Sequence, residues 1–335
     1  MCGVFAFKLS GLITLSNISH FVMGNKKVSR VVEHLDLNSA GLSGSWRNLF
    51  CDVGKLSTLT YLDLSENNIS GDLLNQDVKN LRHLRGLNVA RNHAFGMIPT
   101  FDGLQHLYLA NLSNNLFTGI IPATLSSISS LRELWISHNN LQGPLTHTIS
   151  RLINLEALAL ADNNLTGTIP NGISKLQRLR ILYLQENRFE GQFPAGLLRL
   201  GSSLVTLSLR SNLLTGKIPS EIDQLSALKR LHLGSNKLEG RIPKEIGNMV
   251  SLCHLYLNNN HLTGHIPAYE LVYPHCIATI DLHANAGLES KARASKRMSL
   301  TMRSRQKGKR TRVNVRVLTI NPNAEYNDDA ENWRV

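Results

Sequence analysis

Cysteine is scarce. Four in 335 residues are too few to staple a fold. Cys2 and Cys51 have no obvious mate, whereas Cys253 and Cys276 fall where neighbouring segments could approach. Their pairing is open at this level, with reduced thiols as the default. Long apolar runs are missing too, so no helix able to cross a bilayer is expected. The opening MCGVFAFKLSGLITLSNISHFVMG comes closest to a targeting segment. Its two short apolar runs are broken by Lys8 and lack a basic start, so residues 1–31 read as a weak signal or a cap. No GxSxG, phosphate-binding loop or dinucleotide motif occurs. His232 and His254, with Cys253 alongside, lack the further ligand a metal needs, and Glu133, Asp162 and Glu186 lie on no enclosed site. The chain is expected to be non-enzymatic, with no cofactor and no metal.

Acidic residues are absent from 291–316, which hold eleven basic ones. The net charge of +12 therefore belongs mostly to this stretch. Residues 1–290 carry 24 Lys+Arg against 20 Asp+Glu, a net of +4. High charge with few hydrophobes reads as disorder over 291–335. Lys296-Arg297 and Lys307 to Arg310 could act as a nuclear address, the 291–316 run could touch an anionic membrane, or the tail could do neither. It has no aromatic residue for base stacking before Tyr326, and the near-neutral remainder predicts no nucleic-acid partner.

What the sequence does have is a repeat. In LEALALADNNLTGTIP (155–170), taking Leu155 as slot 1, leucines occupy slots 1, 4, 6 and 11, Asn163 slot 9, Gly167 slot 13 and Pro170 slot 16. The string returns from Leu59, Leu84, Leu107, Leu131, Leu179, Leu204, Leu228 and Leu252, with weaker copies from Val32 and Ile277, eleven in all. A fixed short period decides the fold. Slots 4 and 6 alternate with polar residues, as in a short strand with one buried face. One coil cannot bury that face alone; stacked coils can. Slot 9 is Asn in ten copies: Asn67, Asn92, Asn115, Asn139, Asn163, Asn187, Asn212, Asn236, Asn260 and Asn285. An inward amide there can satisfy backbone groups where the buried chain bends. Gly at slot 13 suits a bend, and Pro at slot 16 ends a sheet edge.

The pattern resembles the plant-type leucine-rich repeat, LxxLxLxxNxLxGxIP, over roughly residues 32–288. The resemblance implies an α/β solenoid: a horseshoe or superhelix with a parallel sheet on the concave face and an irregular or 3-10 convex side. The repeat domain is set at 32–290. At about 4.8 Å per coil the stack is on the order of 50 Å long. The paired-cysteine cap CxWxGVxC of many such proteins is lacking; Trp46 and Cys51 fall inside the first repeat.

Function is expected on the concave sheet, where slots 2, 3, 5, 7 and 8 project. Trp135, His138, Arg180, Tyr183, Arg210, Arg230, His232, His254 and Tyr256 make an aromatic, imidazole and arginine surface suited to a partner. The resemblance implies a receptor-like or secreted recognition protein for a peptide, glycan or partner protein, extracellular or at the cell surface. Alternatives are an intracellular scaffold addressed by its tail, and a truncated receptor-kinase relative. The RxR pair that peptide-binding relatives often carry is missing, with Arg210 standing alone. Sequons at Asn17, Asn68, Asn111 and Asn164 weigh toward the outside, although the repeat itself generates two of them.

Overall fold

The structure, a computed structural model, describes residues 32–74, 78–267, 271 and 277–289, and the backbone of 299–306 and 309–317. The expectations for residues 1–31 and for Cys276 lie outside the described residues.

Each repeat is one coil of a solenoid. Slots 3 to 5 form a three-residue strand, and eleven of these stack in parallel from His34–Asp36 to Thr279–Asp281. The register does not slip: Leu134, Leu158, Leu182, Leu207 and Leu231 are successive partners. Parallel pairing without slippage follows from the period, since a one-residue shift would turn every leucine outward. Leu155, Leu158, Leu160 and Leu165 of a typical coil are each fully buried. Each such side chain contributes about 1.5–3 kcal/mol, and only because the coils above and below cover it.

Slots 10 to 14 build a second parallel sheet of eleven strands, from Ser43–Ser45 to Gly287–Glu289. This second sheet goes beyond the single sheet expected. Its strands repeat an exposed–buried alternation, as in Asn164–Thr168, where Leu165 turns inward. Slot 13 has positive φ, for example +86° at Gly191, where an added Cβ would sit 3.0 Å from Thr168 Cγ2.

The convex side follows from slot 16. Pro122, Pro170, Pro219 and Pro243 each open a 3-10 helix (Ala123–Ser127, Asn171–Lys175, Ser220–Gln224, Lys244–Asn248), and Pro194 opens the short α-helix Ala195–Leu198. Proline needs no donor there, and its φ near −65° starts the turn. Leu125, Ile173, Leu197, Ile222 and Ile246 drop from these turns into the core. The first coil is longer and holds an eight-residue helix, Trp46–Val53. Its N-cap Ser45 accepts from Asn48 N at 3.4 Å, and Trp46, Leu49, Phe50 and Val53 are buried.

The asparagines at slot 9 join coil to coil. Asn187 Nδ2 donates to Leu160 O in the preceding coil (2.9 Å) and to Leu184 O and Gln185 O in its own (3.2 Å each). Its Oδ1 accepts from Leu165 N at 3.0 Å. The same four-bond pattern recurs from Asn67 to Asn285. Just before it, slot 8 lies in the left-handed region in all eleven coils, from Ser39 (φ 51°) to Ala284 (φ 52°), without a single glycine. Non-glycine residues pay for this conformation. The return is regular: in the first ten coils the slot-8 N–H reaches a carbonyl of the next coil, as in His138 N to Ala161 O (2.9 Å) and Asp162 N to Gln185 O (2.9 Å).

Most of 291–335, expected to be disordered, is outside the description. Two strands are not: Ser299–Gln306 and Lys309–Val317 pair antiparallel, and the second lies parallel to Thr279–Asp281 at the open end of the sheet. The expectation of disorder concerns the whole of 291–335, and strand pairing is described for these two segments alone. Val313, Val315 and Val317 alternate with polar residues, a strand period hidden under the charge. Cys253, whose pairing the sequence leaves open, is disulfide-bonded, with a partner outside the described residues. Its Sγ therefore has no proton to give, and the 3.4 Å approach to Ser251 O is a contact only.

Candidate ligand-binding face

Strand register lines up one central row: Asp36, Asp63, Asn88, Asn111, Trp135, Ala159, Tyr183, Ser208, His232, Tyr256, Asp281. The row divides by chemistry. In the first four coils and the last, slot 5 is Asp or Asn, and each bends back to its own chain. Asp36 Oδ1 accepts from Asn38 N (3.0 Å), Asp63 Oδ1 from Ser65 N (2.9 Å), and Asn88, Asn111 and Asp281 from Ala90 N, Ser113 N and His283 N (3.2 Å each). These side chains brace the strand end, as short polar residues do two positions from an N–H. From Trp135 to Tyr256 slot 5 holds neither Asp nor Asn, the residues that make this bracket elsewhere. The brace is absent across six coils, and side chains there project from the sheet.

Within this stretch four adjacent coils bring together Tyr183, Arg210, Arg230, His232, His254 and Tyr256, all partly buried. His232 and Tyr256 rings lie 4.7 Å apart, tilted by 39°. Burial, with the Arg210 guanidinium nearby, pushes the His232 imidazole down to about 3. Burial and then Arg230 also lower His254, whose Nδ1 is 3.3 Å from Thr279 Oγ1. Burial raises the Tyr183 phenol, partly offset by Arg230. Both imidazoles are thus neutral at neutral pH, and the cationic character of the cluster comes from its arginines. Arg210 is held by Glu186 at 3.2 Å. Beneath the rings, Thr206 and Ser208 are buried, and so are Ala157, Ala159 and Ala161 on the side toward Trp135. The alanine coil makes a low step between Trp135 and Tyr183.

Three of the expected residues stand apart from the cluster. Trp135 lies two coils away, its Nε1 donating to Glu133 Oε2 (3.0 Å). His138 sits at a slot-8 bend with Nδ1 2.7 Å from Asp162 Oδ2. Arg180 is on the flank at slot 2, beside Arg178. One residue missing from the sequence reading is Asn258. It is 8% exposed, and its Oδ1 has no donor among the described residues. Gly234 makes room for it, since a Cβ there would be 2.3 Å from that oxygen. At the other end of the wall, Tyr61 stacks on His34 (5.8 Å), and burial with Asp63 and Asp36 pushes its phenol up to about 12.

Of the sequons, Asn68 and Asn164 are exposed on the second sheet, Asn111 is engaged on the concave row, and Asn17 is outside the described residues. Among the described residues no group of three His, Cys, Asp or Glu could hold a metal ion. Nor is any helix among them long and apolar enough to cross a membrane.

Comparison with known proteins places this geometry. Leucine rich repeat families match residues 202–262 and residues 58–81, 103–128, 130–152 and 154–176. These matches are to repeats, with no catalytic domain identified. Receptor-like protein 41 of Arabidopsis thaliana is 37% identical over 152 residues, covering 37% of this chain and 16% of that protein. The plant peptide hormone receptor RGFR1, solved with RGF2, superposes with a TM-score of 0.68 at 29% identity, over 77% of this chain and 46% of that one. The Arabidopsis receptor kinase HAESA, solved with the peptide hormone IDA and the co-receptor SERK1, gives a TM-score of 0.55 at 26% identity, over 86% of this chain and 58% of that one. The chain therefore spans a small part of that curated relative and about half of each receptor structure.

Proposed function

Because this chain is a leucine-rich repeat protein related to the ectodomains of plant receptor-like proteins and receptor kinases, we propose that it is a recognition protein that binds a peptide or partner protein on its concave face, without catalysis. The binding surface runs from Trp135 to Tyr256 and is anchored by Tyr183, Arg230, His232, His254 and Tyr256. One observation carries this reading. Slot 5 is self-bracketed in coils one to four and eleven, and is aromatic, imidazole or small in the six between. Rigid aromatics with arginines beside them are the usual anchors of interfaces. An extended peptide would lie across the strands, seating side chains over Ala159 and Ser208 between the larger residues. The similarity to receptors solved with peptide hormones supports that ligand class.

We place the protein outside the cell or at its surface. The disulfide at Cys253 supports an oxidising compartment. Exposed Asn68 and Asn164 are accessible acceptors for glycans.

The test is selection of peptides from a displayed library on the full chain. Isolates are then measured against Tyr183→Ala/His232→Ala and against a control, Asp36→Ala/Asn88→Ala, in the bracketed coils. The reading expects the first pair to weaken most isolates by about tenfold or more and the control to leave them unchanged. Isolates that ignore the first pair would move the site off this face.

A further inference from the structure

Slot 2 forms a row along the flank of the solenoid: Arg132, Glu156, Arg180, Val205, Lys229. Glu156 is engaged by Arg132 (3.4 Å). The next positions break the row of long side chains, because Val205 and, behind it, Ala227 are short. A cleft of about 540 Å³ opens there, lined by Glu156, Arg178, Arg180, Ser202, Ser203, Val205 and Ala227. A change of length helps to shape it. The coil from Leu179 to Leu204 is 25 residues, whereas its neighbours from Leu155 and Leu204 are 24. The extra residue falls in Gly201-Ser202-Ser203. Gly201 seats this turn against the next coil: its carbonyl accepts from Ala227 N (2.9 Å), and a Cβ would lie 1.9 Å from Gln224 O. The turn thereby presents Ser202 and Ser203 at the mouth.

Arg178 and Arg180 are exposed and have no carboxylate partner among the described residues. The Ser202 side chain is exposed as well. The Ser203 hydroxyl donates to Leu200 O (3.3 Å). Two guanidinium forks and the Ser202 hydroxyl at one open cleft supply more donors than a carboxylate can use. They match the three terminal oxygens of a tetrahedral ester. We propose that this flank cleft is an anion subsite for a phosphate or sulfate monoester group, held by Arg178 and Arg180 with Ser202. Glu156 also lines the cleft, with its carboxylate paired to Arg132 (3.4 Å). The site is separate from the concave cluster and stands whether or not that cluster takes a peptide.

The probes are phenyl phosphate, phenyl sulfate and benzoate, titrated by calorimetry into the full chain at low ionic strength. Phenyl phosphate or phenyl sulfate should bind more tightly than benzoate, and whichever is tighter identifies the source of the ester. Arg178→Gln/Arg180→Gln should weaken that binding about tenfold or more, since it removes both charge-assisted forks. Arg151→Gln/Lys175→Gln removes the same charge from exposed neighbouring positions and should change it less than about twofold. Tyr183→Ala/His232→Ala should leave it unchanged, which separates failure here from failure of the concave reading. Benzoate binding as tightly as the esters would overturn the proposal. So would equal losses in the two charge-removal pairs, or no binding of either ester.

Discussion

Replacing Asn187 by Ala removes one amide from the middle of the ladder, and the structure says which loss matters. Three acceptors lose a donor, but each keeps another. Leu160 O retains Asn163 Nδ2 (3.2 Å), Leu184 O retains Asn212 Nδ2 (3.0 Å), and Gln185 O retains Asp162 N (2.9 Å). Leu165 N–H is different: Asn187 Oδ1 is its acceptor, and Leu165 is fully buried. The cost is therefore that of about one orphaned buried donor, ~1–3 kcal/mol. That corresponds to about 2–4 °C of melting temperature for each kcal/mol in a domain of this size. Asn187→Asp sharpens the test. It keeps an acceptor for Leu165 N–H but turns a carboxylate toward three carbonyl oxygens, so it should destabilise more than Ala does. Asn140→Ala, at an exposed position of the second sheet, should stay within about 0.5 kcal/mol. Calorimetric melting of the four proteins decides it. Asn187→Ala melting with Asn140→Ala, or Asp proving milder than Ala, would refute the assignment of the cost to the Leu165 donor.

The remaining predictions concern pH, packing and modification. His232 is held near 3 in the folded chain, against about 6.5 unfolded, so between those values the unfolded state binds the extra proton. Stability should therefore fall as pH drops from about 6.5 toward 3, by ~1–2 kcal/mol at pH 4.5 after allowing for the partly solvated ring. Denaturant melts at pH 7 and 4.5 should show that loss reduced in His232→Phe, and an equal loss in both proteins would discard the cause. Leu207→Ala, in a fully buried strand position, should cost about 2–5 kcal/mol by chemical denaturation. A loss below about 1 kcal/mol would mean the coils close over the gap. In protein from its native source, peptide mapping with and without a glycan-removing enzyme should find glycans at Asn68 or Asn164 and none at Asn111. An unglycosylated chain would count against the extracellular placement.

Much of the fold could be read because its information is periodic. Each coil repeats the same leucines, so the strand at slots 3 to 5 and the neighbours of Leu158 follow from counting. The same counting sets Tyr183, Ser208, His232 and Tyr256 side by side, since a constant register is what the repeat requires. Two parts of the backbone escaped it. The left-handed bend at slot 8 carries no glycine to announce it; Glu66, Arg91, His138 and Asn259 adopt it because a carbonyl of the next coil waits for each N–H. The strand at Lys309–Val317 was masked by its arginines, although Val313, Val315 and Val317 alternate. The chemistry of the face was less legible still. Composition cannot tell that Asp63 and Asn88 are spent on their own backbone, or that Arg210 is tied to Glu186. Nor can it show that one added residue near Ser202 and a short Val205 leave Arg178 and Arg180 facing an open cleft. Those depend on how particular side chains meet, which the repeat leaves free.

The central claim is that recognition belongs to the six coils from Trp135 to Tyr256. Hydrogen exchange of the full chain, read by mass spectrometry with and without a saturating selected peptide, tests it without altering any residue. The account predicts slowed exchange in segments covering 181–183, 206–208, 230–232 and 254–256, with 34–36, 61–63 and 86–88 unchanged. Protection confined to those first coils, or to the convex turns, would contradict it.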